Sequence, residues 1–222
     1  MAVAFLTVDD VPSPLFEEKL AFLREASVPA VFFCIGRNVA GNEDALVRAL
    51  DLGFELGNHS WTHPKFSELG IEECEREIER ADEAIGAIYR LAGRHWPRKL
   101  FRFPYFDYGR PELREAIQER LRALGYEAPA AQREDASLAG GSSPRSGRAD
   151  TGCGFDQKEY WLGKPDAPEG LDRAEVILAR ISDERPRDGD IILIHDHDFS
   201  HGLFFECVES YLSHGIELAA LP

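Results

Sequence analysis

The stretch Val3-Ala4-Phe5-Leu6-Thr7-Val8-Asp9-Asp10 decides how this chain is read. Val3 to Val8 is a continuous, apolar and partly β-branched run, which suits a strand buried on both faces of a parallel sheet or barrel. The run ends in two adjacent carboxylates that repel each other, and burying either is costly unless a cation or a hydrogen-bond donor compensates it. A metal ion supplies such compensation. The plainer reading is that Asp9 and Asp10 only cap the next turn or helix, a common use of aspartate.

Outward from that run, Ser13-Pro14 reads as a helix start with proline at the first position, followed by an apolar stripe of Leu15, Phe16, Leu20, Phe22 and Leu23. Ala30 to Ile35 reads as a second strand. Asn42 can cap a helix through Ala45, Leu46, Ala49 and Leu50 that stops at Gly53, and Phe54-Glu55-Leu56 reads as a short third strand. Ile71, Cys74, Ile78, Ala81, Ile85 and Ile88 recur at alternating three- and four-residue steps, the clearest helical period in the chain. Next come a strand near Leu100 to Phe103, a helix from Pro111 to Leu124 closed by Gly125, a helix near Leu171 to Ile181, and the strand Ile191 to Ile194. This alternation implies parallel strands joined by right-handed crossovers, in an open sheet or a closed barrel. Residues 128–154 break the pattern and read as a loop or insertion, with the Gly-, Ser- and Pro-rich segment Ala139 to Gly147 at its centre.

A length of 222 residues fits one α/β domain, 1–222. With 40 acidic against 25 basic residues the net charge is -15, which disfavours nucleic acid and anionic membranes as partners. No apolar stretch approaches the roughly 20 residues of a membrane helix, so no membrane span is expected. The opening MAVAFLTVDDVPSPLFEEKL lacks the marks of a signal peptide, which points to the cytoplasm, or to secretion only if a precursor segment was removed. Cys34, Cys74, Cys153 and Cys207 are scattered, as buried reduced thiols are, and have no zinc-finger spacing.

Reactive residue types follow the apolar strands: Asp9 and Asp10 after the first, His59 and His63 after the third, Arg102 in the fourth, His195 after the last. Parallel α/β folds bring such strand ends to one face. In Gly57-Asn58-His59-Ser60-Trp61-Thr62-His63-Pro64, one helical turn or a tight loop aims both imidazoles at one point, and two nitrogens with a carboxylate make a zinc-like site with room for water. The bland alternative is a pair of hydrogen-bonding histidines.

Thr7-Val8-Asp9-Asp10-Val11-Pro12, His59-Ser-Trp-Thr-His63, Arg102-Phe103-Pro104-Tyr105 and Leu193-Ile194-His195 stand in the order and approximate spacing of the polysaccharide deacetylases, which the chain resembles over nearly its whole length. This is carbohydrate esterase family 4, the NodB-homology domain. The resemblance implies a distorted (β/α)7-type barrel and one divalent metal ion, usually Zn2+ and sometimes Co2+ or Ni2+. It also implies hydrolysis of an N-acetyl group on an aminosugar or glycan with release of acetate. By the same resemblance Asp10, His59 and His63 match the metal ligands and Asp9 the general base. Arg102 matches the arginine that pairs with the base, His195 the general acid, Tyr105 the residue whose backbone N–H helps hold the oxyanion, and Leu193 a wall of the acetyl-methyl pocket.

Two departures stand out. Val11 occupies the position where the family has a glycine, and valine tolerates positive φ poorly. No Asp-x-x-Asp-Trp string supplies the aspartate that orients the catalytic histidine; of Asp135 and Asp150, the neighbourhood of Asp150 favours the latter. His197, beside His195 in His-Asp-His-Asp, is read as rim, on the argument that alternation lets only one of the two histidines face the site. Trp61 and Tyr108 are candidates for a sugar-stacking platform, against simple packing, while His95 and Trp96 read as loop packing. Two other readings keep the fold: a deformylase or cyclic-amide hydrolase acting on a lipid-linked sugar or small metabolite, and a carbohydrate-binding homologue without catalysis.

Overall fold

A computed structural model describes residues 1–134 and 148–222. Asp135 and the segment Ala139 to Gly147 lie outside the described residues. In chain order the elements are β1 (Ala2–Val11), α1 (Phe16–Glu25), β2 (Ala30–Cys34), α2 (Glu43–Asp51), β3 (Glu55–Asn58), α3 (Ile71–Leu91), α4 (Arg114–Ala123), α5 (Ala130–Glu134), β4 (Phe155–Asp156), α6 (Ala174–Asp183), β5 (Ile191–His195), α7 (His201–Ser213) and β6 (Ile216–Leu218). Contacts divide them into two compact units, Met1–Val31 with Cys153–Leu221, and Phe32–Gly152 with Pro222.

The first unit is built on β1. Ala4, Leu6 and Val8 on one face and Phe5 and Thr7 on the other are all buried, as a strand covered on both faces requires. It pairs in parallel with β5, from Phe5 opposite Ile191 to Asp9 opposite His195, and with β6, from Ala2 opposite Ile216. On the far side of β5, β4 adds Phe155 opposite Ile192, also in parallel. Helix α1 starts at Phe16 rather than beside Pro14 because Ser13 has other partners: its N–H and hydroxyl both donate to Asp196, at 2.6 and 2.8 Å.

The second unit packs α3 against α2, α4 and β3, around Phe66, Cys74, Ile78, Phe101, Phe103, Ile117, Leu121 and Tyr126. Helix α3 follows the expected period and runs on to Leu91. The expected strand Leu100 to Phe103 is reduced to single parallel bridges, Asn58 to Phe101 and Lys99 to Tyr126. Its backbone is nonetheless bonded to both neighbours: Asn58 N–H donates to Leu100 O and Arg102 N–H to Asn58 O on one side, Glu127 N–H to Lys99 O and Thr151 N–H to Phe101 O on the other. Nor are residues 128–154 loop throughout. Helix α5 lies there, and its Gln132 donates to Asp150 O at 2.9 Å and accepts from Gly152 N–H at 2.5 Å. All four cysteines are free, and no helix among the described residues is long and apolar enough to cross a membrane.

Candidate active site

In the first unit, the β1–β5 register makes Asp9 and His195 neighbours at the strand ends. Asp9 is 3 % exposed. Asp196 N–H donates to Asp9 O at 2.9 Å, which continues the strand pairing one residue past His195. The residue with positive φ is Asp10 (φ 65), not Val11, which stays buried in β1. The local turn therefore takes its left-handed residue one position earlier, where a short polar side chain tolerates it, and needs no glycine. Leu193 is buried in β5 between Thr7 and Asp156.

His195 is held by Glu159, a residue that sequence reasoning missed. The fully buried Glu159 carboxylate receives the His195 backbone N–H at 2.6 Å and Nδ1 at 2.8 Å through the same oxygen, Oε1. A carboxylate only accepts, so Nδ1 carries a proton toward it, which leaves Nε2 as the other titratable ring nitrogen. Burial alone pushes the imidazolium pKa down, but the Glu159 carboxylate, with Asp10 and Asp9 behind it, outweighs burial and raises it from 6.5 to about 9. Tyr160 packs edge-on against the imidazole, with ring centres 4.9 Å apart.

Asp150 does not fill that role. Its buried carboxylate receives Gln118 Nε2 at 2.8 Å and Arg148 Nε at 2.7 Å in the second unit. The signal for Glu159 was present in Asp156-Gln-Lys-Glu159-Tyr160, which differs from the sought Asp-x-x-Asp-Trp by one methylene and one aromatic type. The reading of His197 is also corrected. Residues two apart in an extended segment share a side, and His195 and His197 stack with ring centres 5.2 Å apart at 17°. Asp196 is the residue turned inward, where it binds Ser13 and the buried Lys19.

In the second unit the histidine pair is carried by a tight loop rather than a helical turn. Ser60 (φ 66) and His63 (φ 63) both take left-handed conformations, and the loop is tied by Gly36 N–H to Ser60 O, Arg37 N–H to Trp61 O, and Thr62 N–H and hydroxyl to Glu77. Such strain at non-glycine residues, about 1–3 kcal/mol each, persists only where the surroundings over-determine the backbone. The rings of His59 and His63 come to 4.8 Å. His59 Nδ1 donates to Arg102 O at 2.8 Å, which makes Nε2 the lone-pair nitrogen, the usual tautomer of a metal-binding imidazole.

Arg102 is fully buried, with NH2 donating to Gly152 O at 2.9 Å and the guanidinium 4.3 Å from the Phe33 ring. Tyr105 is 63 % exposed with φ 56 and meets the His63 ring edge-on at 4.6 Å. Trp61 and Tyr108 each have a guanidinium over the ring, from Arg80 at 4.2 Å and Arg148 at 3.9 Å. Trp96 stacks on Tyr89, as loop packing.

The sequence profile of the polysaccharide deacetylases matches residues 2–129. A chitooligosaccharide deacetylase from Sinorhizobium fredii is 40 % identical over 123 residues, 55 % of this chain and 55 % of that protein. The chain spans about half, or less, of the length of the curated relatives it matches. Among solved structures, the peptidoglycan deacetylase PdaC from Bacillus subtilis superposes with a TM-score of 0.69 at 24 % identity, covering 99 % of this chain and 87 % of that one. The family 4 carbohydrate esterase from Streptomyces lividans, in complex with acetate, gives 0.68 at 23 %, covering 97 % and 90 %. These likenesses show the fold, the α/β architecture of the distorted (β/α)7-type barrel. With the profile matched over more than half of its residues, the chain belongs to the polysaccharide deacetylase family.

Proposed function

We propose that this protein is a metal-dependent hydrolase that removes the acetyl group from an N-acetylated aminosugar or glycan and releases acetate. Asp10, His59 and His63, each offering one ligand atom, hold one divalent ion, zinc first, with cobalt or nickel as substitutes. The donor set fits such an ion on its chemistry, and the His59 tautomer set by Arg102 O supports it. The observation that carries the reading is the pairing of Asp9 with a carboxylate-held His195 at neighbouring strand ends, because a protein that only binds sugar needs neither a base nor an oriented acid. The names of the chitooligosaccharide and peptidoglycan deacetylases among the relatives support the N-acetyl sugar as substrate class.

A bound divalent ion supplies Lewis-acid polarisation of the amide carbonyl and lowers the pKa of water. Asp9 takes the proton from the attacking water, with Arg102 as the arginine paired with that base. The Tyr105 N–H donates to the oxyanion as the carbonyl carbon becomes tetrahedral. His195, protonated and held by Glu159, gives its proton to the departing amine.

The test is acetate release from N-acetylglucosamine oligomers after chelation and after adding back zinc, cobalt or nickel. Acetate restored by metal is the expected result. Metal bound without acetate, together with turnover of a formamide or cyclic amide, would replace the acetyl substrate; sugar binding with no turnover of any amide would replace the enzyme by a binding protein.

A further inference from the structure

His197 has no part in the chemistry above, yet its side chain contacts a proposed ligand. Its Nε2 lies 2.8 Å from Asp10 Oδ2, across 187 residues of sequence. The carboxylate accepts, so Nε2 carries the hydrogen. The ring is fixed on both faces, stacked on His195 at 5.2 Å and on Phe199 at 4.9 Å and 24°. Its backbone is fixed as well, since the preceding Asp196 is buried and binds Ser13 N–H, Ser13 Oγ and Lys19 Nζ, while Asp196 N–H donates to Asp9 O. Asp10 itself sits in a left-handed turn, φ 65, where χ1 alone would leave its carboxylate several orientations. A donor held this firmly selects one of them.

We propose that His197 is a positioning residue for the metal ligand Asp10: by donating to Oδ2 it fixes the plane of the carboxylate and directs Oδ1 to the ion as a single donor atom. This rests on the proposed metal site. Outer hydrogen bonds of this kind to ligating carboxylates typically change metal affinity about 10- to 100-fold when removed. The same stack ties the general acid to the ligand, because the His195 ring lies against the ring that orients Asp10.

The experiment compares wild type, His197→Ala, His197→Gln, Asp10→Ala and His59→Ala for zinc affinity by competition with a chromophoric chelator, and for the visible d–d bands after cobalt loading. The thermal midpoint of each metal-free protein is the folding control. The expected result is about 10- to 100-fold weaker zinc binding and altered cobalt bands in His197→Ala, with both largely restored in His197→Gln, which keeps an N–H donor. Unchanged affinity and bands in His197→Ala would overturn the inference while leaving the site intact. So would a loss in His197→Ala equal to that in Asp10→Ala with no rescue by glutamine, since that result makes His197 a ligand. Wild-type protein that binds no metal, or Asp10→Ala that binds like wild type, would remove the site reading and this inference with it.

Discussion

At the scale of single residues, the chemistry depends on which carboxylate faces which imidazole. Glu159 supplies most of what raises the His195 pKa to about 9 against burial, which on its own pushes it down. In Glu159→Gln that support is gone while the hydrogen-bonding shape remains. In the proposed mechanism His195 acts as general acid only while protonated, so the alkaline limb of the kcat/KM profile should move to lower pH, and the rate should fall by part of the about 10²–10⁴-fold that acid–base catalysis contributes. A pH profile with its alkaline limb unmoved would remove Glu159 from that role. The strand-end types Asp9, Asp10, His59, His63 and His195 were legible in the sequence, because their spacing survives any detail of the loops. Glu159 carried a signal in Asp156-Gln-Lys-Glu159-Tyr160 but was missed, because Glu and Tyr stand where Asp and Trp were sought and its side chain reaches His195 from a turn whose Lys158 is left-handed (φ 64). His197 was misread only because alternation was counted from the wrong residue; the buried anchors of Asp196 fix the count.

At the scale of elements, one buried ion pair ties α1 to the segment after β5. Lys19 and Asp196 have fully buried side chains, and Asp196 also receives both donors of Ser13. In Lys19→Met the carboxylate keeps the Ser13 bonds and loses its countercharge. Urea unfolding should then show a loss of about 3–5 kcal/mol, the cost of an uncompensated buried charge. Adding Asp196→Asn should recover part of it, and a single variant as stable as wild type would show that the pair is dispensable. Elements with a long pattern were readable: α3 has six apolar positions in step, and β1 and β5 are built on the runs Val3 to Val8 and Ile191 to Ile194. The two-residue β4 was not, for no periodicity exists at that length and its ladder is templated by β5. Helix α7 carried a usable signal in Leu203, Phe204, Cys207, Val208 and Tyr211, which follow helical spacing and are all buried.

At the scale of the whole molecule, the buried phenols and thiols set the alkaline limit of stability. Burial raises Cys74 from 9.0 to about 11, and pushes Cys207, Tyr89, Tyr126, Tyr160 and Tyr211 up as well, so both compact units carry such groups. In each case the folded state keeps a proton that the unfolded chain gives up at its ordinary pKa, 9.0 for the thiols and 10.0 for the phenols. Their contribution to stability is therefore fully present below about pH 9 and is lost as pH rises toward and beyond 11. Each group ionised only in the unfolded chain removes up to about 1.4 kcal/mol per pH unit, and a net charge of -15 adds self-repulsion in the same direction. The urea midpoint of the metal-free protein should decline from about pH 6.5, where His195 keeps a proton that the unfolded chain gives up, and fall with increasing steepness above about pH 9 as the thiols and phenols add to that loss. Tyr211→Phe tests the cause: it costs stability near neutrality by stranding Gln157, which receives the phenol at 2.6 Å, but it should fall less steeply above the phenol pKa because one buried proton is no longer at stake. A variant that falls in parallel with wild type would trace the alkaline loss to net charge instead.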